Sequence, residues 1–235
     1  MSDNLRIIDF HSHILPCADH GSDGINTTRK QISLMNNAGV DTAVLTPHFY
    51  PDRHSVSNFT DEINAAAEEL IDECKVRPRI CIGAEILYCD GIEYMENINK
   101  LCIKGTNILL LELPLSPLWH RSMIYEIKRM ATKYTIVLAH IDRYVEDHST
   151  ELLWLLSTDG IYAQINTSAI SKKKRRRALI PYIEDGYVCA LGSDLHGSPK
   201  KTYRRFTKAK KLIGDDRYSK IMTHTAEILK DATLI

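Results

Sequence analysis

Eight residues of this chain have the side-chain types and the spacing to bind divalent metal ions: His11, His13, His48, Glu85, Glu112, His140, Asp194 and His196. His11 and His13 lie one residue apart at the end of the apolar run Ile7-Ile8-Asp9-Phe10. Side chains alternate along a strand, so both imidazoles leave it on the same side. Alone, this pair is equally compatible with a half-buried strand whose histidines only hydrogen-bond. The rest of the chain favours metal. His48 follows a second apolar run in Thr-Pro-His, and Glu85 a third in Gly-Ala-Glu. Glu112 closes the fourth run and His140 the fifth, while Asp194 and His196 follow the seventh in Gly-Ser-Asp-Leu-His-Gly. Imidazoles and carboxylates without thiolate suit borderline to hard ions such as Zn, Mn or Fe, and so many ligands imply more than one ion. The sixth run ends in Gln164-Ile165-Asn166-Thr167, neutral groups suited to orienting a ligand or binding substrate, with Asn166 as the substrate-binding candidate. The other histidines, His54, His120, His148 and His224, fall in polar loops or on helical patterns and read as surface residues.

The runs that must position these ligands have strand length: 6–10, 42–46, 79–83, 108–113, 135–139, 161–165 and 188–191. Between them the period changes to that of helices, over 27–38 (Asn26 as N-cap, Gly39 beyond the end), 61–74, 123–133, 146–157, 172–184, 203–212 and 218–229. Residues 89–106 are less regular, with a short helix expected over 92–98, and Pro114 and Pro117 force an irregular loop before Trp119. Continuous apolar strands alternating with helices predict an α/β fold with a parallel sheet covered on both sides. Seven units predict a closed barrel one strand short of the eight-stranded type, with an open doubly wound sheet as competitor. In a barrel all these strand ends face one mouth, which turns scattered ligands into one cluster.

Length and composition narrow the rest. The 235 residues suit one domain over 1–235, with 44% hydrophobic and 26% charged residues, as in an ordinary globular protein. Thirty basic and thirty acidic residues cancel, so no overall field draws the protein to nucleic acid or anionic lipid. The first residues lack a long apolar stretch and no later run reaches membrane-spanning length, so the expectation is a cytoplasmic chain with no membrane insertion. The sequence leaves a homo-oligomer open. Six cysteines, at 17, 74, 81, 89, 102 and 189, form no Cys-x-x-Cys and read as reduced structural thiols. None has an arginine six positions later, which argues against cysteine-dependent phosphatase chemistry.

The motifs His-Ser-His-Ile-Leu-Pro, Thr-Pro-His, Gly-Ala-Glu-Ile, Leu-Glu-Leu-Pro, Ala-His-Ile-Asp-Arg-Tyr and Gly-Ser-Asp-Leu-His, in this order over nearly the whole chain, resemble the PHP (polymerase and histidinol phosphatase) superfamily. More narrowly they are similar to its bacterial capsular and exopolysaccharide tyrosine-phosphatase branch, the CpsB/CapC type. The resemblance implies a distorted seven-stranded (β/α)7 barrel, three metal ions commonly described as manganese, and hydrolysis of phosphotyrosine on the tyrosine kinase that controls polysaccharide export. It implies His11, His13, Glu85 and Asp194 around one ion, with Glu85 bridging to a second held by Glu112 and His140. It implies a third ion on His48, His196 and an acidic residue in the loop after His13. There the branch reads Asp-Asp-Gly and this chain Asp19-His20-Gly21, which makes His20 the expected replacement ligand and leaves Asp19 or Asp23 as substitutes.

Phosphate monoesters resist uncatalysed hydrolysis, and the expected chemistry is attack by a metal-bound hydroxide without a covalent enzyme intermediate. Arg143, three residues after His140, is placed to fork onto phosphoryl oxygens as a catalytic and substrate-binding group, or else to pair with Asp142 or Glu146. The basic run 172–177 and seven further Lys and Arg within 200–211 read either as solvated helix faces or as docking sites for the acidic, Tyr-rich tail of a phosphotyrosine protein. Rival readings are a PHP phosphoesterase of a small metabolite such as histidinol phosphate or a sugar phosphate, a metal amidohydrolase, and a non-catalytic metal-binding module. The amidohydrolase reading is weak, because such enzymes add a lysine and two histidines in mid-barrel.

Overall fold

Among the described residues, every ladder between strands is parallel, and the one antiparallel contact is an isolated bridge between Cys81 and Leu234. The computed structural model describes residues 6–71, 78–197 and 203–235. Within them lie β1 (Ile7–Ser12), α1 (Ile25–Asn37), β2 (Val40–Leu45), β3 (His48–Phe49), α2 (Val56–Glu68), β4 (Arg79–Ile82) and β5 (Glu85–Leu87). There follow β6 (Ile108–Glu112), α3 (Arg121–Met130), β7 (Thr135–Leu138), α4 (Ser149–Leu156), β8 (Ile161–Asn166), α5 (Thr167–Ile170), α6 (Lys173–Glu184), β9 (Val188–Gly192), α7 (Arg204–Ile213) and α8 (Asp215–Ile228). The strands are apolar on both faces because the core lies on one side and the helices on the other; Phe10, Val44, Ile82, Leu110, Val137 and Leu191, each from a different strand, are fully buried.

The expected closed barrel is not what the ladders form. They make a three-stranded sheet, β1-β2-β4, and a six-stranded sheet, β3-β5-β6-β7-β8-β9. The second and third apolar runs are each broken in two, which is why nine strands stand where seven were expected. Pro47 has no N–H to give and interrupts the run between β2 and β3. The partner run breaks at Gly83 and Ala84, where a Cβ on Gly83 would lie 2.9 Å from an Ile103 side-chain carbon. Leu45 pairs with Ile82 and His48 with Glu85, so the register survives the break. At the other junction, the Asp194 N–H donates to the His11 carbonyl (2.9 Å) and the His13 N–H to the Leu195 carbonyl (3.0 Å). The segment after β9 therefore lies along the end of β1 without a ladder between the named strands.

Helix boundaries moved where a different residue satisfies the first turn. The first helix starts after Gly24, and Asn26 lies inside it without capping. The second starts at Val56 because Ser55 accepts from the Asn58 N–H, five residues before the expected start; its expected end at Cys74 lies outside the described residues. Residues 92–98 form no single helix: one short 3-10 turn covers Ile92–Tyr94, and a second, Ile98–Leu101, begins only at the end of that stretch. No helix among the described residues is long and apolar enough to cross a membrane.

The described cysteines are unpaired. Burial pushes the Cys81 thiol up to about 11 and that of Cys102 up to about 12, and raises Cys189 as well, whereas Cys17 is exposed. A thiol with a pKa near 11 is about one part in a thousand thiolate at pH 8. Native protein should thus react with a thiol reagent quickly at Cys17 and only on unfolding at Cys81, Cys102 and Cys189, as read by peptide mass mapping; rapid native labelling of Cys189 would contradict this packing.

Candidate metal centre

The ligand-type residues expected from the strand ends converge on the buried carboxylate of Glu85. Its Oε2 lies 3.2 Å from His11 Nε2, 3.3 Å from His13 Nε2 and 2.9 Å from His48 Nδ1, and its Oε1 lies 2.7 Å from His140 Nε2. Asp194 Oδ1 lies 3.6 Å from His13 Nε2 and 3.9 Å from His11 Nε2, and Glu112 Oε1 3.5 Å from His140 Nε2. His196 Nε2 is 3.4 Å from His48 Nε2. Four sets of donor atoms are mutually close enough to share an ion: His11, His13 and Asp194; His11, Glu85 and His140; His48, Glu85 and Glu112; and His13, His48 and His196.

Two physical tests favour cations at these points. Donors bonded at about 2.0 to 2.2 Å to one tetrahedral ion stand roughly 3.3 to 3.6 Å apart, close to most of the separations here. In addition Glu85 Oε2, Asp194 Oδ1 and His48 Nδ1 are buried and make no hydrogen bond, despite neighbours within reach. Atoms so crowded, and not aimed at one another, are arranged for something between them. Charge says the same: Asp19, Glu85, Glu112 and Asp194 lie around the site, and among the described residues Arg143 is the permanently charged cation that pairs with two of them. Burial alone would raise the Glu85 carboxyl, but the His11, His13 and His140 imidazoles hold it well below the usual range. Burial opposes charge on His13 as well, yet Asp19 and Glu85 push it up to about 10. His196 is drawn down to about 4 by burial and by His13, which keeps it neutral and able to act as a ligand.

The surrounding residues set the tautomers. His13 Nδ1–H donates to Asp19 Oδ2 (2.7 Å) and His11 Nδ1–H to Gln164 Oε1 (3.2 Å), so both Nε2 atoms face the cluster and would offer lone pairs to an ion that displaces their protons. Gln164 Oε1 also accepts the His140 N–H at 2.6 Å. Asp19 further receives the Gly21 and His48 N–H groups, which fixes the loop that carries it. Asp9 Oδ1, buried inside β1, accepts the Ser193 N–H at 2.7 Å and anchors the Asp194 segment. Asp9 and the orienting part played by Asp19 have a weak sequence signal: a lone acid in an apolar run, and an acid six residues past His13. His140 and Asp194 take left-handed φ values of 32° and 51°, a strain that non-glycine residues bear mainly where a side chain must be aimed. At two glycines close approach leaves no room: a Cβ on Gly192 would sit 2.6 Å from His11 Cβ, and one on Gly21 1.9 Å from the His13 carbonyl oxygen.

Several expected roles fall out differently. Arg143 does not pair with Asp142 or Glu146; Nη1 donates to Glu112 Oε1 and Nη2 to Asp194 Oδ2, both at 2.9 Å. Asn166 is 6% exposed and has both amide atoms engaged, donating to Asp194 Oδ2 (2.8 Å) and accepting from Gln164 (3.0 Å). Of the two acids in the loop, Asp19 bonds His13 and Asp23 accepts from Thr27, and neither joins the four donor sets. His20 is exposed and joins none of the four donor sets, but its ring stacks 5.0 Å from that of His48 and 4.6 Å from that of His196. Of the supposed surface histidines, His148 is buried and stacked on Trp119 at 4.0 Å, and His54 and His224 are half-buried. Of the basic residues over 172–177, Lys174 pairs with Glu146 and Arg175 donates to the Asp142 carbonyl, whereas Lys200 and Lys201 lie outside the described residues.

The Asp19 hydrogen bond can be tested directly. Asp19→Asn should weaken binding of Mn(II) about 10- to 100-fold in a calorimetric titration; unchanged affinity would show that His13 is not oriented from this loop.

Comparison with known proteins follows the same line. Residues 7–230 match the family model described as capsular polysaccharide synthesis, CpsB/CapC. The tyrosine-protein phosphatase CpsB of Streptococcus agalactiae serotype V is 27% identical over 210 residues, covering 81% of this chain and 83% of that protein, and the serotype III protein matches to the same extent. Among solved structures, one from work on YwqE of Bacillus subtilis and CpsB of Streptococcus pneumoniae, described as unique metal-dependent tyrosine phosphatases, has the same fold. It superposes with a TM-score of 0.76 at 20% identity, over 97% of this chain and 96% of that one. An inactive dihydroorotase-like domain from Chaetomium thermophilum superposes more loosely, with a TM-score of 0.53 at 11% identity over 97% of this chain and 79% of that one. With its family model matched from β1 to past the end of α8, the chain belongs to the CpsB/CapC family, among the PHP-type phosphatases.

Proposed function

We propose that this protein is a metal-dependent protein-tyrosine phosphatase, acting on a phosphotyrosine protein such as a tyrosine kinase that regulates capsular or exopolysaccharide synthesis. The observation that carries this reading is the buried Glu85 carboxylate among four imidazoles, in a member of a family that includes tyrosine-protein phosphatase CpsB. On this reading the two sheets are the halves of a distorted seven-stranded (β/α)7 barrel. Three ions, manganese first and iron or zinc also compatible, would be held by His11, His13, Glu85 and Asp194; by Glu85, Glu112 and His140; and by His48 and His196 with His20 beside them.

Such ions, when bound, supply a water acidic enough to deprotonate at neutral pH and neutralise phosphoryl charge, which phosphate monoester hydrolysis lacks in plain water. The chain's own residues do the rest. Glu85 offers its two oxygens to two neighbouring ligand sets and so fixes their spacing. Asp19 and Gln164 hold the Nδ1 protons of His13 and His11, so that neither ring can turn away. Arg143 presents a planar fork between Glu112 and Asp194, suited to phosphoryl oxygens and to charge that grows in the transition state. Cys17 is exposed in the loop and is followed six positions later by Asp23 and not by the arginine of a thiolate phosphate loop, so no step is assigned to it.

Elemental analysis followed by phosphate release from a tyrosine-phosphorylated peptide with added Mn tests the reading. Turnover should be abolished by a chelator and by His11→Ala, fall about 100-fold in kcat in Arg143→Ala, and survive Cys17→Ser. Bound metal with release only from histidinol phosphate or sugar phosphates would instead favour a metabolite phosphoesterase. Bound metal without turnover on any phosphoester would favour a non-catalytic module. In His20→Ala the metal content should drop from three ions to two; an unchanged content would remove His20 from the third site.

A further inference from the structure

Arg143 has a second face. Besides reaching Glu112 and Asp194, it lines a cavity of about 490 Å³ together with Leu115, Ser116, Pro117, Tyr144, Asp147 and His148. One wall is the loop that follows β6, three residues beyond Glu112, where Leu115 is 75% exposed and Leu118 70%. A single exposed leucine is ordinary. Here, however, two stand on a loop that is braced and not loose. The Trp119 indole N–H donates to the Pro114 carbonyl (3.0 Å), the Ser116 hydroxyl to the Leu118 carbonyl (3.0 Å), and His148 Nε2 meets the Ser116 carbonyl at 2.8 Å. His148 and Trp119 stack at 4.0 Å with planes 6° apart, and Trp119 packs edge-on against Tyr144. The buried aromatic layer thus holds an apolar rim rigidly beside the candidate metal centre.

Resting on the phosphatase reading above, we propose that this cavity is the subsite for an apolar side chain adjoining the phosphotyrosine of a peptide substrate, with Leu115 as its specificity-determining contact. The occupant follows from continuity and charge. A small phosphate ester ends on the metal side of Arg143, whereas a peptide held there continues past it at about 3.3 Å per residue. Leu115 and Pro117 line the same cavity as Arg143 and would meet that continuing chain, and the exposed Asp147 carboxylate on the cavity wall disfavours an acidic neighbour there. Glu146 and Asp142, in the same turn, are already matched by Lys174 and Arg175.

The test compares two phosphotyrosine peptides on the Mn-loaded protein, identical except for leucine or alanine on either side of the phosphotyrosine. Wild type should prefer the leucine peptide in kcat/KM, mainly through KM, by about tenfold, the scale of burying one leucine side chain. Leu115→Ser should erase the preference and Leu115→Met restore it. Because the readout is a ratio between peptides on one protein sample, partial loss of metal or fold cancels. Equal rates on both peptides in wild type, or an unaltered ratio in Leu115→Ser, would overturn the subsite while leaving the phosphatase reading intact. Absence of turnover on both peptides, with retained turnover on sugar phosphates, would remove the tyrosine-phosphatase reading and the subsite together.

Discussion

One buried carboxylate organises this molecule. Glu85 sits where β5 restarts after the break at Gly83, and it is surrounded by imidazoles from β1, β3 and the segment after β7. An ionised carboxylate away from water is costly unless it is compensated, and the compensation must come from several elements at once. That requirement ties distant segments together: the end of β1, the His48 strand, and the His140 turn must all arrive within about 3 Å of the same two oxygens. The site is therefore as much a device for joining the two sheets as a place for chemistry.

The backbone bends to meet this demand. The Pro47 and Gly83 interruptions let His48 and Glu85 turn inward as a pair while keeping register with each other. Left-handed φ at His140 and Asp194 aims two ligands that a regular strand exit would point elsewhere. Gly192 leaves room for His11 and Gln164 to lie against the last strand. Strain and close approach are thus concentrated beside the ligands, while the helices that cover the outer faces follow ordinary amphipathic packing. A second layer of hydrogen bonds, from Asp9, Asp19 and Gln164, holds the bent segments in place.

Much of this was legible in the sequence because a parallel α/β fold places the residues that follow its strands on one side. That His11, His13, His48, Glu85, Glu112, His140, Asp194 and His196 share one mouth follows from position, since the period of the apolar runs says where each strand ends; their division into separate ion sites rests on the family resemblance. What sequence could not supply was direction. Asp19 looks like a candidate ligand until the turn through Cys17, at φ 54°, carries it to His13 Nδ1. Asn166 looks like a substrate donor until Gln164 and Asp194 occupy its amide. The broken ladders escaped notice because Pro47 reads as the end of a strand and not as its midpoint. His148 reads as polar loop because its partner, Trp119, lies across a connection that period and propensity do not describe.

On the proposed reading, the position of Arg143 would link the resting site to catalysis. Its two carboxylate partners are also expected metal ligands, so the guanidinium serves as counter-charge while those carboxylates lack another. Burial and the nearby carboxylates act in opposite senses on it, and the net effect raises its already high pKa, so it keeps its charge throughout. Were Glu112 and Asp194 to hold cations, the electrostatic reason for Arg143 to lie between them would weaken. A dianionic phosphoryl group at the same place would then offer the fork a better partner than either carboxylate alone. The same residue can in this way stabilise the site before substrate enters and the transferring group afterwards, with no movement of the strands that hold the ligands. Arg143 follows the left-handed turn at His140, and its position there depends on that strained turn being held by the Gln164 hydrogen bond to the His140 N–H.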